Sequence, residues 1–184
     1  KEDWRKITLG EIGEVLMCKR VLKEQTSETG DVPFYKIGTF GKKPDSFISR
    51  SLFEDFRNRF AYPRVGDVLL SAAGTIGRTV VFDGEDAYFQ DSNIVWIGND
   101  EKIVTNQFLH VIYSQLNWQT ENGGTVSRLY NVNIRNTAIS IPGIDDQKRI
   151  VRSLGLIDQS LGNLKLQLGK AKDIKQGMIS YCFG

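Results

Sequence analysis

Histidine and cysteine are the scarcest chemistry-bearing residues in this sequence of 184 residues, which contains one His and two Cys. His110 stands alone, and Cys18 and Cys182 lie far apart with no second Cys or His near either of them. A structural zinc site needs several such ligands at close spacing, and a disulfide framework needs several cysteine pairs. We therefore expect no metal site, and we expect the reducing cytoplasm as the location of the chain.

Long apolar runs and nucleotide-binding motifs are also missing. No stretch approaches the roughly 18 consecutive apolar residues that a membrane helix needs. Gly74-Thr75-Ile76-Gly77 is not followed by Gly-Lys-Ser/Thr, and there is no Gly-x-Gly-x-x-Gly. None of the four prolines is adjacent to another, which excludes the Asn/Asp-Pro-Pro-aromatic motif of adenine methyltransferases. We expect no membrane span, no catalytic residues and no cofactor bound by this chain.

The formal net charge of +2 is too small to indicate nucleic-acid binding by itself, but the charges are unevenly distributed. Residues 36–64 contain seven basic side chains and three acidic ones, whereas residues 83–101 contain six acidic side chains and no basic one. This asymmetry favours one electropositive side on the folded protein. Ordinary solvated surface charge is the alternative.

Residues 1–144 combine short strands with a few helices. Apolar runs and alternation predict strands in residues 32–38, 74–82, 88–89, 94–97 and 138–142, and they predict a turn that runs into a buried strand in residues 65–71. Helical spacing predicts helices in residues 51–59 and 106–119, and Thr8 and Glu11 have the spacing of a capping box. Because strands and helices do not alternate strictly, we expect an α+β domain with a mixed or antiparallel sheet.

Residues 145–184 have a different character. Between residues 146 and 182 the apolar residues follow a heptad, with Lys175 at one core position, and this pattern predicts one long coiled-coil-forming helix. About 35 residues give a rod of roughly 50 Å, which favours a partner helix over packing back onto the chain's own domain. We therefore expect a homodimer through Ile150, Leu154, Ile157, Leu161, Leu164, Leu168, Ala171 and Met178.

Two segments have a composition suited to DNA, which is bound through cations for phosphates and polar side chains for base edges. In residues 36–64 cations are interleaved with phenylalanines, and residues 123–131 combine two glycines with hydroxyl, Arg, Tyr and Asn side chains. With the cation that follows Gly77, the candidate DNA-binding residues are Lys36, Lys42, Lys43, Arg57, Arg59, Arg78, Thr125, Ser127, Arg128, Tyr130 and Asn131. The alternatives are that the phenylalanines are core and that the second segment is a plain connection.

Several motifs, in this order, resemble those of the specificity subunits of type I restriction-modification enzymes. Residues 4–14 resemble the family's Trp-x-x-x-x-Leu-Gly-Glu entry, and residues 32–37 resemble its Val-Pro-aromatic strand. Residues 65–78 are close to its Gly-Asp-Val-Leu…Gly-Thr-Ile-Gly pattern, which is the most specific match. Residues 139–151 resemble its Ile-Pro…Glu-Gln-x-x-Ile helix entry, with Pro-Gly-Ile in place of Pro-Pro-Leu and Asp146 in place of Glu.

The resemblance implies that residues 1–144 form a DNA target-recognition domain and residues 145–184 a helical spacer for dimerisation. It implies double-stranded DNA, methyltransferase subunits that bind S-adenosylmethionine, and restriction or motor subunits as partners. The chain is then a non-catalytic half-subunit that reads one half of a split site as a homodimer. The alternatives are a recognition domain or fragment of a larger restriction-methylation polypeptide, and a protein-protein adaptor that does not bind DNA.

Overall fold

The computed structural model describes residues 4–118 and 128–183, and the chain divides into two compact units, Lys1–Gln147 and Lys148–Gly184. The first unit contains the sheets and the short helices, and the described part of the second is continuous helix. The assignment of residues 1–144 to DNA recognition and of residues 145–184 to a spacer stays a prediction.

The first unit has the α+β architecture that the sequence predicts. Its described strands are β1 (Arg5–Thr8), β2 (Val15–Leu16), β3 (Val32–Tyr35), β4 (Phe47–Ile48), β5 (Val68–Ser71), β6 (Thr79–Val81), β7 (Tyr88–Phe89), β8 (Ile94–Ile97) and β9 (Ala138–Ile141). They form sheets in the orders β1-β9, β2-β8-β5-β6 and β4-β3-β7. The β3–β7 pair is parallel and the other strand pairs are antiparallel, so the sheets are mixed overall.

The helices are α1 (Arg50–Arg59), α2 (Asn106–Gln115), α3 (Asn131–Asn136) and α4 (Ile144–Phe183) within the described ranges. Helix α1 begins after Ser49, whose Oγ accepts a hydrogen bond from the Leu52 N–H at 3.3 Å. Helix α2 ends four residues before the sequence prediction, because the backbone is already extended at Leu116. Helix α3 begins at Asn131, the last residue of the candidate segment 123–131, and the sequence did not predict it.

Aromatic side chains fill the core beside β3 and β7. Phe53 of α1 packs edge-to-face against Tyr62 and Tyr88, with ring centroids 5.6 and 6.5 Å apart. Phe40 and Phe53 are almost fully buried, at 1% and 0% exposure. The phenylalanines of the basic segment therefore belong largely to the core, while most of its cations face outward.

A single 3-10 turn, Leu9–Glu11, follows β1 as the capping-box spacing predicts. The Glu11 carboxylate accepts hydrogen bonds from the Thr8 backbone N–H at 2.6 Å and from the Thr8 hydroxyl at 3.1 Å. These bonds lower the pKa of Glu11, with the backbone N–H as the larger cause.

Helix α4 contains the predicted 146–182 helix and extends it at both ends. Its 40 residues have a length of about 60 Å at 1.5 Å per residue. Its apolar side chains are largely exposed: Leu154 is 38%, Ile157 54%, Leu161 48% and Leu164 59% accessible.

Candidate nucleic-acid interface

A concave surface of about 490 Å³, here called the basic cleft, lies on the first unit. Its lining includes four cations, one carboxylate and a set of neutral polar side chains. They are Arg20, Lys23, Lys36, Arg128, Asp91, Thr26, Gln90, Ser92 and Asn93, with Val21 and Phe34 as apolar members. The surplus of positive charge suits phosphate groups, and the neutral polar side chains suit base edges.

One wall of the basic cleft is built by the parallel pairing of β3 and β7. Because Tyr35 pairs with Phe89, the next residues of both strands, Lys36 and Gln90, emerge at the same edge of the sheet. The Gln90 N–H donates to the Tyr35 carbonyl, and the Gln90 Oε1 accepts from the Ile37 N–H, both at 2.9 Å. The Gln90 side chain therefore fixes the turn that carries Lys36.

The turn at residues 91–93 forms the next part of the wall. Ser92 has a φ of +54°, a backbone conformation that few non-glycine residues adopt. The Asn93 carbonyl accepts a hydrogen bond from Ala72, at 2.7 Å, which ties the turn to the end of β5. Arg128 reaches the same turn, since its Nη2 donates to the Ser92 carbonyl at 3.0 Å.

Arg128 is held by its backbone as well as by its side chain. It forms an isolated antiparallel bridge with Ala73, and the N–H of the following Leu129 donates to the Ala72 carbonyl at 2.7 Å. Leu129 is buried, at 5% exposure. Arg128 is therefore fixed on the wall of the basic cleft.

Arg20 enters the basic cleft from a different part of the chain. Cys18 lies in the same core cluster as Phe89 and is 2% exposed, and its burial raises the pKa of its thiol to about 12. Two residues beyond this anchor, the Arg20 Nε donates to the Asp91 Oδ2 at 3.0 Å. The Arg20 side chain is 67% exposed and that of Asp91 only 17%.

The basic cleft brings together two of the predicted DNA-binding residues, Lys36 and Arg128. Lys36 Nζ forms an exposed ion pair with Asp45 at 2.9 Å, and exposed pairs of this kind contribute about 0–1 kcal/mol. Arg20 and Lys23 were missed by the sequence prediction. The run of cations at positions 19, 20 and 23 was the signal that could have indicated them.

The other predicted cations lie elsewhere. Lys42 and Lys43 are exposed, and Lys42 lines a smaller cavity of about 200 Å³. Arg57 pairs with Asp86 at 3.2 Å, and Arg59 with Asp55 at 2.9 Å. The cations of α1 are thus engaged with carboxylates of the same unit.

Arg78 is the last residue of the motif of residues 65–78, and it is held by hydrogen bonds. Its Nη1 donates to the Phe40 carbonyl at 2.9 Å, and its N–H donates to the Ser71 Oγ at the same distance. Gly77 has a φ of +86°, and a Cβ there would lie 2.5 Å from the Trp118 ring. The Gly-Thr-Ile-Gly segment is therefore a tight turn that packs under Trp118.

The last four predicted residues belong to residues 123–131. Thr125 and Ser127 lie outside the described residues. Tyr130 precedes α3 and is 64% exposed, and its N–H donates to the Asn133 Oδ1 at 3.1 Å. Asn131 is the first residue of α3 and is exposed.

Residues 4–118 and 128–183 contain no candidate for a metal centre or a membrane span. In these ranges no three His, Cys, Asp or Glu side chains are grouped so that they could hold a metal ion. The described helices include none with the length and hydropathy needed to cross a membrane.

The family model and the related proteins that match this chain all describe specificity domains or subunits of type I restriction enzymes. The family model for the type I restriction modification DNA specificity domain matches residues 1–169. A putative type I restriction enzyme specificity subunit from Haemophilus influenzae is 57% identical over 148 residues, which cover 80% of this chain and 38% of that protein. The putative MjaX specificity subunit of Methanocaldococcus jannaschii is 23% identical over 99% of this chain and 46% of its own length.

Solved structures agree on the fold. A chain from a study of complex assembly and conformational transition of the type I R-M system superposes with a TM-score of 0.67, at 21% identity, over 93% of this chain and 42% of that chain. The HsdS subunit from Thermoanaerobacter tengcongensis gives a TM-score of 0.61 at 22% identity, over 91% and 40%. This chain spans less than half the length of these proteins.

Proposed function

Because the chain belongs to the family of type I restriction modification DNA specificity domains, we propose that it reads DNA sequence through its basic cleft and catalyses no reaction itself. In this proposal it recognises one half of a split site on double-stranded DNA. That role requires access to cellular DNA, and it would place the chain in the cytoplasm.

The convergence of Arg20, Lys23, Lys36 and Arg128 on one concave surface carries the proposal. The four cations come from three separate parts of the sequence, and the fold brings them together on one surface. Asn93 adds a side-chain amide, the group that pairs with adenine N6 and N7 in the major groove. A phosphate-binding surface with neutral polar groups beside it is what sequence readout needs.

We further propose that α4 is the assembly element. Its exposed apolar side chains form a heptad seam, and a surface of that kind is typical of a protein-protein contact. The proposed partners are the α4 helix of a second copy of this chain, methyltransferase subunits that bind S-adenosylmethionine, and restriction or motor subunits. The homodimer would present two identical readers, and its site would be a split palindrome.

Fluorescence anisotropy with random-sequence duplexes, measured over a range of salt concentrations, tests the proposed surface. The double variant Lys23→Ala/Lys36→Ala should bind all duplexes more weakly, and its salt slope should flatten by about 0.9 for each phosphate that is no longer neutralised. Lys6→Ala is the control, because Lys6 is exposed on β1 and does not line the cleft. An equal effect of both variants would contradict binding through the basic cleft.

A further inference from the structure

Asp91 places a negative charge in the basic cleft, the surface that we propose binds DNA phosphates. It is the single carboxylate among the described residues that line the basic cleft, and a negative charge there opposes the approach of DNA. Its side chain is only 17% exposed, so it contributes little to solubility. The contacts of Asp91 indicate another role for its carboxylate.

The Asp91 Oδ2 is fixed from two sides. It accepts a hydrogen bond from the Ser92 hydroxyl at 3.1 Å and one from the Arg20 Nε at 3.0 Å. The backbone of Asp91 is held as well, because its carbonyl accepts from the Asn93 N–H at 2.6 Å. The acceptor that Arg20 meets is therefore a pre-oriented one.

The contact through Nε leaves the outer end of the Arg20 guanidinium available. Within the part of the chain that the structure describes, no hydrogen bond occupies Nη1 or Nη2 of Arg20. These two nitrogens form the planar fork that matches O6 and N7 of guanine in the major groove. A mobile Arg would lose side-chain entropy on reaching that geometry, and the contact with Asp91 reduces this loss.

The same turn positions a second guanidinium. Arg128 donates from Nη2 to the Ser92 carbonyl at 3.0 Å, one residue beyond the carboxylate that holds Arg20. Phosphate binding alone does not require such orientation, since a flexible Lys serves as a point charge for phosphate. Two Arg side chains oriented by one turn favour readout of base edges.

We propose that Arg20 is a specificity-determining residue that reads a guanine, and that Asp91 is the positioning residue that aims its guanidinium. The inference rests on the proposed function and adds the base that the site prefers. Arg128 is the second oriented donor at the same turn. Lys23 and Lys36 supply the phosphate contacts that do not depend on sequence.

The experiment begins with selection of bound sequences from random duplexes by the full wild-type chain. Each guanine of the enriched sequence is then replaced by 7-deazaguanine, which lacks the N7 acceptor. At one guanine this replacement should raise the Kd of the wild type by at most roughly 150-fold, the upper limit for a complete bidentate contact, because one of the two acceptors is lost. Arg20→Ala removes every donor of that side chain and should become insensitive to that replacement, whereas Lys23→Ala loses the same charge and should keep the sensitivity.

Asp91→Ala tests whether Asp91 orients Arg20, because loss of this role, loss of a negative charge and loss of folding would change DNA binding in different ways. Loss of the carboxylate should raise affinity for random duplexes, because a negative charge leaves the cleft, and should lower discrimination at the guanine that Arg20 reads. Combined with Arg20→Ala, it should cause no further loss of discrimination. Lys23→Ala is the control, since it should weaken all duplexes equally.

The outcomes distinguish the inference from the function on which it rests. If no sequence is enriched, the proposed function fails and the inference fails with it. If a sequence is enriched but Arg20→Ala keeps full sensitivity to every 7-deazaguanine, only the inference is overturned. If Asp91→Ala weakens specific and random duplexes by the same factor, Asp91 is a structural residue and its positioning role is overturned.

Discussion

Gln147 donates and accepts hydrogen bonds in the interior of the first unit, and its Oε1 accepts from the Thr105 N–H at 2.9 Å. Its Nε2 donates to the carbonyls of Ile103 and Pro142, also at 2.9 Å. The Gln147 side chain is 0% exposed. Its single amide therefore satisfies three backbone groups in the interior, two from the segment before α2 and one from the residue after β9. The Gln of the predicted helix entry thus has a structural role that the motif alone did not show.

Gln147→Leu should destabilise the protein strongly. The variant keeps most of the volume but leaves the three backbone groups without partners, at a cost of about 1–3 kcal/mol for each buried group. Urea unfolding, followed by circular dichroism, measures the change in the free energy of unfolding. Lys148→Ala is the control, because Lys148 is exposed and should change stability by less than about 0.5 kcal/mol. A similar stability for both variants would contradict this role of Gln147.

Asp67 should make stability depend on pH in an unusual direction. Desolvation raises the pKa of Asp67, and hydrogen bonds from the Arg64 N–H at 2.8 Å and from the Asn106 amide at 3.4 Å only partly oppose it. The folded state therefore holds the proton more tightly than the unfolded state does. This contribution to stability is fully present below the unfolded-state pKa and is lost as the pH rises through the folded-state pKa.

Asp67→Asn removes the titration and retains an oxygen for the Arg64 N–H. The stability of the wild type relative to this variant should rise as the pH falls from neutrality toward 3.8, the ordinary pKa of Asp. Asp100→Asn is a control of opposite sign, because hydrogen bonds from Lys102 lower the pKa of Asp100. Parallel pH profiles of the wild type and Asp67→Asn would refute the expected linkage.

Part of the first unit could be predicted from sequence because strands such as β7 and β8 are contiguous apolar runs. Strands β7 and β8 have the predicted bounds, Tyr88–Phe89 and Ile94–Ile97, and all of their residues are buried. Helix α3 could not be predicted, since its six residues include three Asn, which have low helix propensity. Tertiary contacts stabilise this short helix, because Ile134 is buried at 1% exposure.

The candidate site was harder to predict because the density of cations in a segment does not show which of them are free. Arg57 and Arg59 lie in the most basic part of the sequence, but each is paired with a carboxylate. Asp86, the partner of Arg57, is 29 residues away and could not be paired with it by spacing. Arg20 lies outside that segment, and its partner Asp91 is 71 residues away, so spacing could not place Arg20 in the basic cleft.

Tyr113→Phe should leave stability unchanged or raise it by about 1 kcal/mol. Tyr113 is 2% exposed, and its hydroxyl has no hydrogen-bond partner among the described residues. Burial also raises its pKa. Removal of an unpaired buried hydroxyl removes its desolvation cost, while the ring keeps its contact with Trp118. Urea unfolding measures the effect, with Tyr130→Phe as the exposed control. A loss of more than about 1 kcal/mol would mean that the hydroxyl has a partner.

The proposed dimer seam on α4 can be tested against exposed leucines of the same helix that lie off the seam. Leu161 and Leu164 lie on the heptad seam, whereas Leu156 and Leu166 lie off it. The accessibilities of the four side chains are similar, between 48% and 61%, so loss of apolar area alone should affect both pairs equally. Only the position around the helix differs.

Leu161→Asp/Leu164→Asp should therefore be monomeric in sedimentation equilibrium, and Leu156→Asp/Leu166→Asp should remain dimeric. The seam variant places two carboxylates where the partner helix would have to bury them, and buried unpaired charges prevent association. The control variant adds the same charges on faces that stay in water. If both variants dissociate, helix destabilisation explains the loss, and if neither does, the contact lies outside the predicted seam.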